Sequence, residues 1–228
     1  QVLGTYSRSD NFKIDPKVKS GSATLSDYKG SGYDRGHLAP AADMKISKTS
    51  MSESFYMSNM SPQHPSFNRG IWKKLEEVVR SWAMKEETIY IATGPILEND
   101  LPFIGKNVSI PNFYYKVILD YSGSDIKGIG FILPNVKSNK LLSSYALSID
   151  KVEELTGIDF FTNLPDEVEI AVESSYNISS WDFNSKPSYN TNKSNDENSS
   201  QRCEGITKSG SRCKRNTKNL DKKCWQHA

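Results

Sequence analysis

The run Asp34-Arg35-Gly36-His37 puts an imidazole two residues from a guanidinium. The first can take a proton near neutral pH, and the second stays charged and offers a planar fork that fits a phosphate. Hydrolysis of a phosphodiester needs a base for the attacking water, positive charge on the phosphate and help for the departing oxygen. Magnesium suits the last task and binds oxygen, commonly with few ligands from protein and the rest water. His37 and His64 are the histidines ahead of the C-terminal tail, so candidates for the base are few. The bland alternative is a surface turn, with Gly36 letting the backbone bend and the charges solvated. Viewed singly, Asn68 reads as well as a helix N-cap, and Glu76 reads as a solvated helix residue.

The elements around these residues are uneven in clarity. Residues 1–65 read as loop-rich, with Gly, Ser, Asp and Pro scattered through them. "SFNRGIWKKLEEVVRSWAMKEE" (66–87) is the clearest helix, with Trp72, Leu75, Val79 and Trp82 recurring every three or four residues. Asn68 stands where its N-cap is expected. If Asn68 and Glu76 were both fully helical they would lie about 12 Å apart along the axis and could not share inner-sphere ligation of one ion. Strand-like runs follow at 88–97, 107–122 and 126–134, rich in Val, Ile and Tyr, and "SYALSI" adds a short one. Asp150 and Glu153 look like the start of a capped helix that stops at Gly157, and "PDEVEIAVESS" gives another. No run reaches the length of apolar residues that a membrane helix needs.

Charge and cysteine are concentrated at one end. Residues 201–228 hold eight Lys and Arg against Glu204 and Asp221, a balance of +6, which leaves −4 for the remainder of a chain whose net charge is +2. A basic tail on a mildly acidic body suggests a polyanionic partner. Residues 184–200 have almost no apolar content and read as a disordered polar linker between a body at 1–183 and a module at 201–228. All three cysteines lie in that module, spaced Cys-x9-Cys-x10-Cys-x2-His as Cys203, Cys213, Cys224 and His227. This is a Cys3His set of zinc type, and so short a stretch has too little core to fold without metal. Four protein ligands leave no open position, so such a zinc would be structural. The competing view is a disordered basic tail with one incidental disulfide.

Three motifs in order, "GYDRGHLAPAADM", "SNMSPQ" and "NRGIWKKLE", resemble the DNA/RNA non-specific endonuclease family, ββα-metal nucleases whose members include secreted sugar-non-specific nucleases and mitochondrial endonuclease G. The joint order is specific where Asp-Arg-Gly-His alone is not, and the resemblance spans roughly residues 5–182. It implies an α+β fold of the ββα-metal (His-Me finger) type, with a central antiparallel sheet flanked by helices. It also implies His37 as general base, Arg35 as a phosphate contact, Asn68 as the direct Mg2+ ligand (Mn2+ able to substitute) and Glu76 as holder of metal-coordinated water. Asn59 would organise the site, and Arg8, in a loosely matching segment, would be a second phosphate contact. DNA and RNA, single or double stranded, would be cut to 5′-phosphate and 3′-hydroxyl ends. An inhibitor protein and a homodimer stay open as partners. The absent initiator Met and the family's exported members lead us to expect a secreted or periplasmic protein. The alternative function is a catalytically inactive nucleic-acid-binding protein that uses the basic tail.

Overall fold

The computed structural model describes residues 4–86, 88–185, 187, 201–207, 210–214 and 216–217. The chain divides into two units, residues 1–188 and 189–228. The first contains, in order, α1 (Leu25–Tyr28), β1 (Asp34–His37), α2 (Lys48–Glu53), β2 (Met60–Gln63) and α3 (Lys73–Lys85). Then come β3 (Ile89–Ile96), β4 (Phe103–Ile104), β5 (Val108–Ser109), β6 (Phe113–Asp120) and β7 (Lys127–Pro134). It closes with β8 (Ala146–Leu147), α4 (Ile149–Thr156) and α5 (Asp166–Glu173). No described helix is long and apolar enough to cross a membrane.

The first 65 residues are more ordered than their composition suggests. The Asp-Arg-Gly-His run is itself β1, paired antiparallel with β2 so that Asp34 faces Gln63 and His37 faces Met60. Gly36 therefore does not bend the chain. A Cβ at Gly36 would lie 2.2 Å from the side chain of the buried Gln63, so glycine is required by close approach rather than by a turn.

The central sheet is antiparallel with strand order β3-β6-β7-β8. β6 reads as one apolar run because both its faces are covered. Tyr114 and Ile118 point toward α3, packing with Trp72, Leu75, Val79 and Trp82. Tyr115 and Val117 alternate to the other face, against Ile149 and Val152 of α4. α4 and α5 come close because β7 carries glycine beneath them. A Cβ at Gly128 would sit 2.6 Å from Ile149 Cδ1, and one at Gly130 would sit 2.5 Å from Val152 Cγ2.

Two capping expectations change. The cap of α4 is Ser148, which accepts from Lys151 N at 3.3 Å, and not Asp150; Gly157 does end the helix, in the left-handed conformation. Asn68 is not an N-cap either. It lies inside a wide π-type turn, Phe67–Trp72, broken at Gly70, and the regular helix begins only at Lys73.

In the second unit, β9 (Gln201–Arg202) pairs antiparallel with β10 (Asn216–Thr217). A tight hairpin turns at Gly210, φ 80°, and brings the buried Cys203 and Cys213 into one cluster, with no disulfide joining them. Cys224 and His227 lie outside the described residues, as does most of 184–200. Ser185, at the start of that expected linker, has its hydroxyl 2.6 Å from that of Ser81 on α3.

Candidate active site

β1 places the base. Along a strand, alternate residues share a face, so Arg35 and His37 project together. His37 is held edge-on to Phe55 with ring centroids 4.9 Å apart and lies 5.9 Å from Phe12. Arg35 covers the Phe12 ring at 4.2 Å, and Arg8 covers Phe55 at 4.9 Å while pairing with Asp10 at 2.6 Å. The two cations thus flank the imidazole on an aromatic floor. Burial first, and the Arg8 guanidinium second, hold the His37 pKa down to about 4, with Asp10 opposing. The ring is neutral at physiological pH, as a base must be. Its Nε2 is buried without a partner among the described residues, which leaves Nδ1 as the nitrogen to meet water.

Asn59 fixes the backbone just past His37. Its Oδ1 accepts from Ala39 N at 2.9 Å, and its Nδ2 donates to Ala39 O at 3.0 Å and Ser54 O at 2.8 Å. Leu38 N donates to Asn59 O at 3.0 Å. With every polar group engaged in this way, Asn59 is a positioning residue.

Asp34, to which the sequence reading gave no role, ties the strand to the wide turn. It accepts from Asn68 Nδ2 at 2.9 Å and from Arg69 Nε and Nη2 at 2.8 and 2.6 Å. Burial works against its charge, but those hydrogen bonds and the charges of Arg69 and Arg35 outweigh it and hold the carboxyl below its usual range. With Nδ2 committed, Asn68 Oδ1 accepts no hydrogen bond from the described residues, and a neutral amide oxygen of this kind is one that could hold a hard cation. His64, the other histidine ahead of the tail, is exposed and starts this turn, its carbonyl accepting from Phe67 N and Asn68 N at 2.9 Å each.

Glu76, in the first turn of α3, lines a cavity of about 460 Å³ together with Asn59, Asp43, Thr93 and Lys116. Lys116 is the surprise. It sits mid-strand in β6, 2% exposed, donating to Thr93 Oγ1 at 2.6 Å and lying 5.0 Å from the Trp72 ring. Burial pushes the Glu76 carboxyl well above its ordinary range, Lys116 opposes, and Asp43 adds to the rise. Burial likewise pushes the Lys116 amine down, with Glu76 opposing. Each favours the charged form of the other, against the larger effect of burial. Arg80, four residues after Glu76, pairs with Asp43 and also favours the Glu76 anion. The Glu76/Arg80 spacing was visible in the sequence; the approach of Lys116 was not, because a lone lysine in "FYYKVILD" carries no period.

An antiparallel strand pair bearing the histidine, followed by a helix region bearing asparagine and glutamate, defines an α+β nuclease of the ββα-metal type. The model of the DNA/RNA non-specific endonucleases matches residues 2–167, and the chain belongs to that family, a class of hydrolases. A nuclease from Nostoc sp. is 37% identical over 184 residues, covering 75% of this chain and 67% of that one. Nuclease C1 of Cunninghamella echinulata is 40% identical and covers 67% of each chain. Human mitochondrial endonuclease G is 35% identical, with 69% of this chain matching 58% of its length. A solved EndoG/EndoGI complex, concerned with EndoG inhibition, shares the fold at a TM-score of 0.65 and 31% identity over 72% of this chain and 76% of that one.

Proposed function

We propose that the chain hydrolyses phosphodiester bonds of DNA and RNA, without regard to sugar or sequence, in a Mg2+-dependent reaction that leaves 5′-phosphate and 3′-hydroxyl ends. The observation that carries this reading is the Asp34–Asn68 hydrogen bond, since it ties the strand bearing His37 to the asparagine whose remaining amide oxygen would take the cation. Neutral His37 takes a proton from the attacking water at Nδ1. Arg35, with Arg8, draws the phosphate over the aromatic floor, and contacts of that kind are blind to base identity and weaken with salt. Asn59 holds the Leu38–Ala39 backbone so that the imidazole does not drift. Glu76, whose anion the Lys116 charge favours, accepts hydrogen bonds from ordered water beside Asn68. Magnesium or manganese bound at Asn68 would supply charge for the phosphate oxygens and the leaving 3′-oxygen. In the second unit, Cys203 and Cys213 with Cys224 and His227 are the proposed structural zinc set. Export to the periplasm or medium belongs to the same proposal, checked by fractionating cells that express the untagged gene.

The test is digestion of plasmid DNA and of ribosomal RNA with the purified protein in Mg2+, with and without EDTA, followed by end-mapping. Both substrates are expected to be cut, cutting stops with EDTA, and the fragments accept ligation only through their 5′-phosphates. Intact nucleic acid with a folded protein would reverse the reading in favour of binding without catalysis.

Lys116→Met gives a pH signature. The ionised Glu76 is lost as pH falls through its raised pKa, and removal of the facing ammonium raises that pKa further. The acid limb of kcat/KM is therefore expected to move toward higher pH by about one unit or more. A variant with an unchanged limb and only a lower Tm would make Lys116 purely structural.

A further inference from the structure

On the opposite face of the sheet from α3, Asp150 and Glu153 on α4 and Glu173 at the end of α5 each bring a carboxylate oxygen within 4.8 Å of the others. Glu173 is only 4% exposed, and its Oε1 is buried with no hydrogen-bond partner among the described residues. The neighbours make matters worse for an anion. Asp159 and Glu169 add negative charge, and the lysine beside Asp150, Lys151, turns away to Glu154 at 2.6 Å. Glu153 spends one oxygen on Phe160 N at 2.7 Å. A buried carboxylate oxygen with neither donor nor cation disfavours the charged form, and a proton or an ion relieves it. The exposed Asp150 gives an ion a path in from solvent.

We propose that Asp150, Glu153 and Glu173 form a calcium site that clamps α4 to α5. Three hard oxygens suit calcium or magnesium and disfavour zinc or copper, which prefer nitrogen and sulfur. Calcium accepts irregular carboxylate sets at about 2.3–2.6 Å, so opposed ligands lie about 5 Å apart, whereas magnesium demands a tighter octahedron. The ion would fasten the two helices that rest on Gly128 and Gly130 of β7. The site shares no residue with the nuclease centre, so the proposal stands or falls independently of the catalytic reading.

The experiment is calorimetric titration and thermal melting of the full chain carrying Asn68→Ala, which removes the proposed active-site ligand. Calcium chloride is expected to bind at one site and to raise the melting midpoint by about 5–11 °C at a hundredfold excess over Kd. Adding Glu173→Gln should abolish both signals. Adding Asp150→Asn, at an exposed position where misfolding is not a concern, should weaken binding at least tenfold. Absence of a calcium signal in the Asn68→Ala protein would overturn the site and leave Glu173 a protonated acid. Binding unaffected by Glu173→Gln or Asp150→Asn, or tighter with magnesium than with calcium, would overturn it as well.

Discussion

With His37 replaced by alanine, kcat on supercoiled plasmid is expected to fall by about 10²–10⁴-fold, the range a positioned general base contributes. The imidazole is neutral because burial and the Arg8 charge hold it down to about 4, so the base form is already present across the physiological range. Phosphate contacts through Arg35 and Arg8 survive the substitution, and KM should change little. Retention of more than a tenth of wild-type kcat by a folded variant would remove His37 from the base role. The same depressed pKa has a stability consequence. Between the ordinary 6.5 and the folded value of about 4, the unfolded chain binds more protons than the folded one, so the contribution of His37 to stability is present above 6.5 and is lost as pH falls through that window. His37→Ala lacks this term. Its acid-unfolding curve should be flatter there, as circular dichroism at several pH values would show.

Asn68→Ala is expected to cost about 10³-fold in kcat/KM, since losing the ligand oxygen forfeits several kcal/mol of metal assistance. The paired variant is more telling. Asn68→Asp keeps an oxygen ligand but sets a carboxylate against Asp34, which now accepts from the Asn68 amide at 2.9 Å. Apparent Mg2+ affinity should therefore drop about 10- to 100-fold, the usual cost of breaking a ligand's supporting hydrogen bond. Combining Asn68→Asp with Asp34→Asn restores one donor and one acceptor across the contact and should recover much of that loss. If Asn68→Asp alone matches wild type in a Mg2+ titration, the Asp34 contact does not orient the ligand.

The long helix and the strands of the central sheet were legible because their apolar residues repeat: Trp72 just before α3, Leu75, Val79 and Trp82 along it, and the Val/Ile/Tyr runs of β3, β6 and β7. β1 and β2 were not. Each has four residues, and their pairing depends on Gln63 filling the space over Gly36, which no local pattern announces. The cap of the main helix was misplaced for a related reason: a polar residue before an apolar run ordinarily caps it, but here Gly70 breaks a π-type turn that carries Asn68 across to Asp34.

By itself, then, the chain's order of residues determined the family, and with it the candidates for the proposed chemistry: His37, Arg35, Asn68 and Glu76. Their types and their order are local, and local information is what a sequence holds openly. Only the tertiary structure decided what makes those groups usable. Asp34 turns the amide of Asn68, Phe12 and Phe55 desolvate His37, and Lys116 reaches Glu76 from a strand forty residues later in the chain. Ionisation and orientation depend on burial and on neighbours brought in through the core, and those neighbours have no fixed distance along the chain.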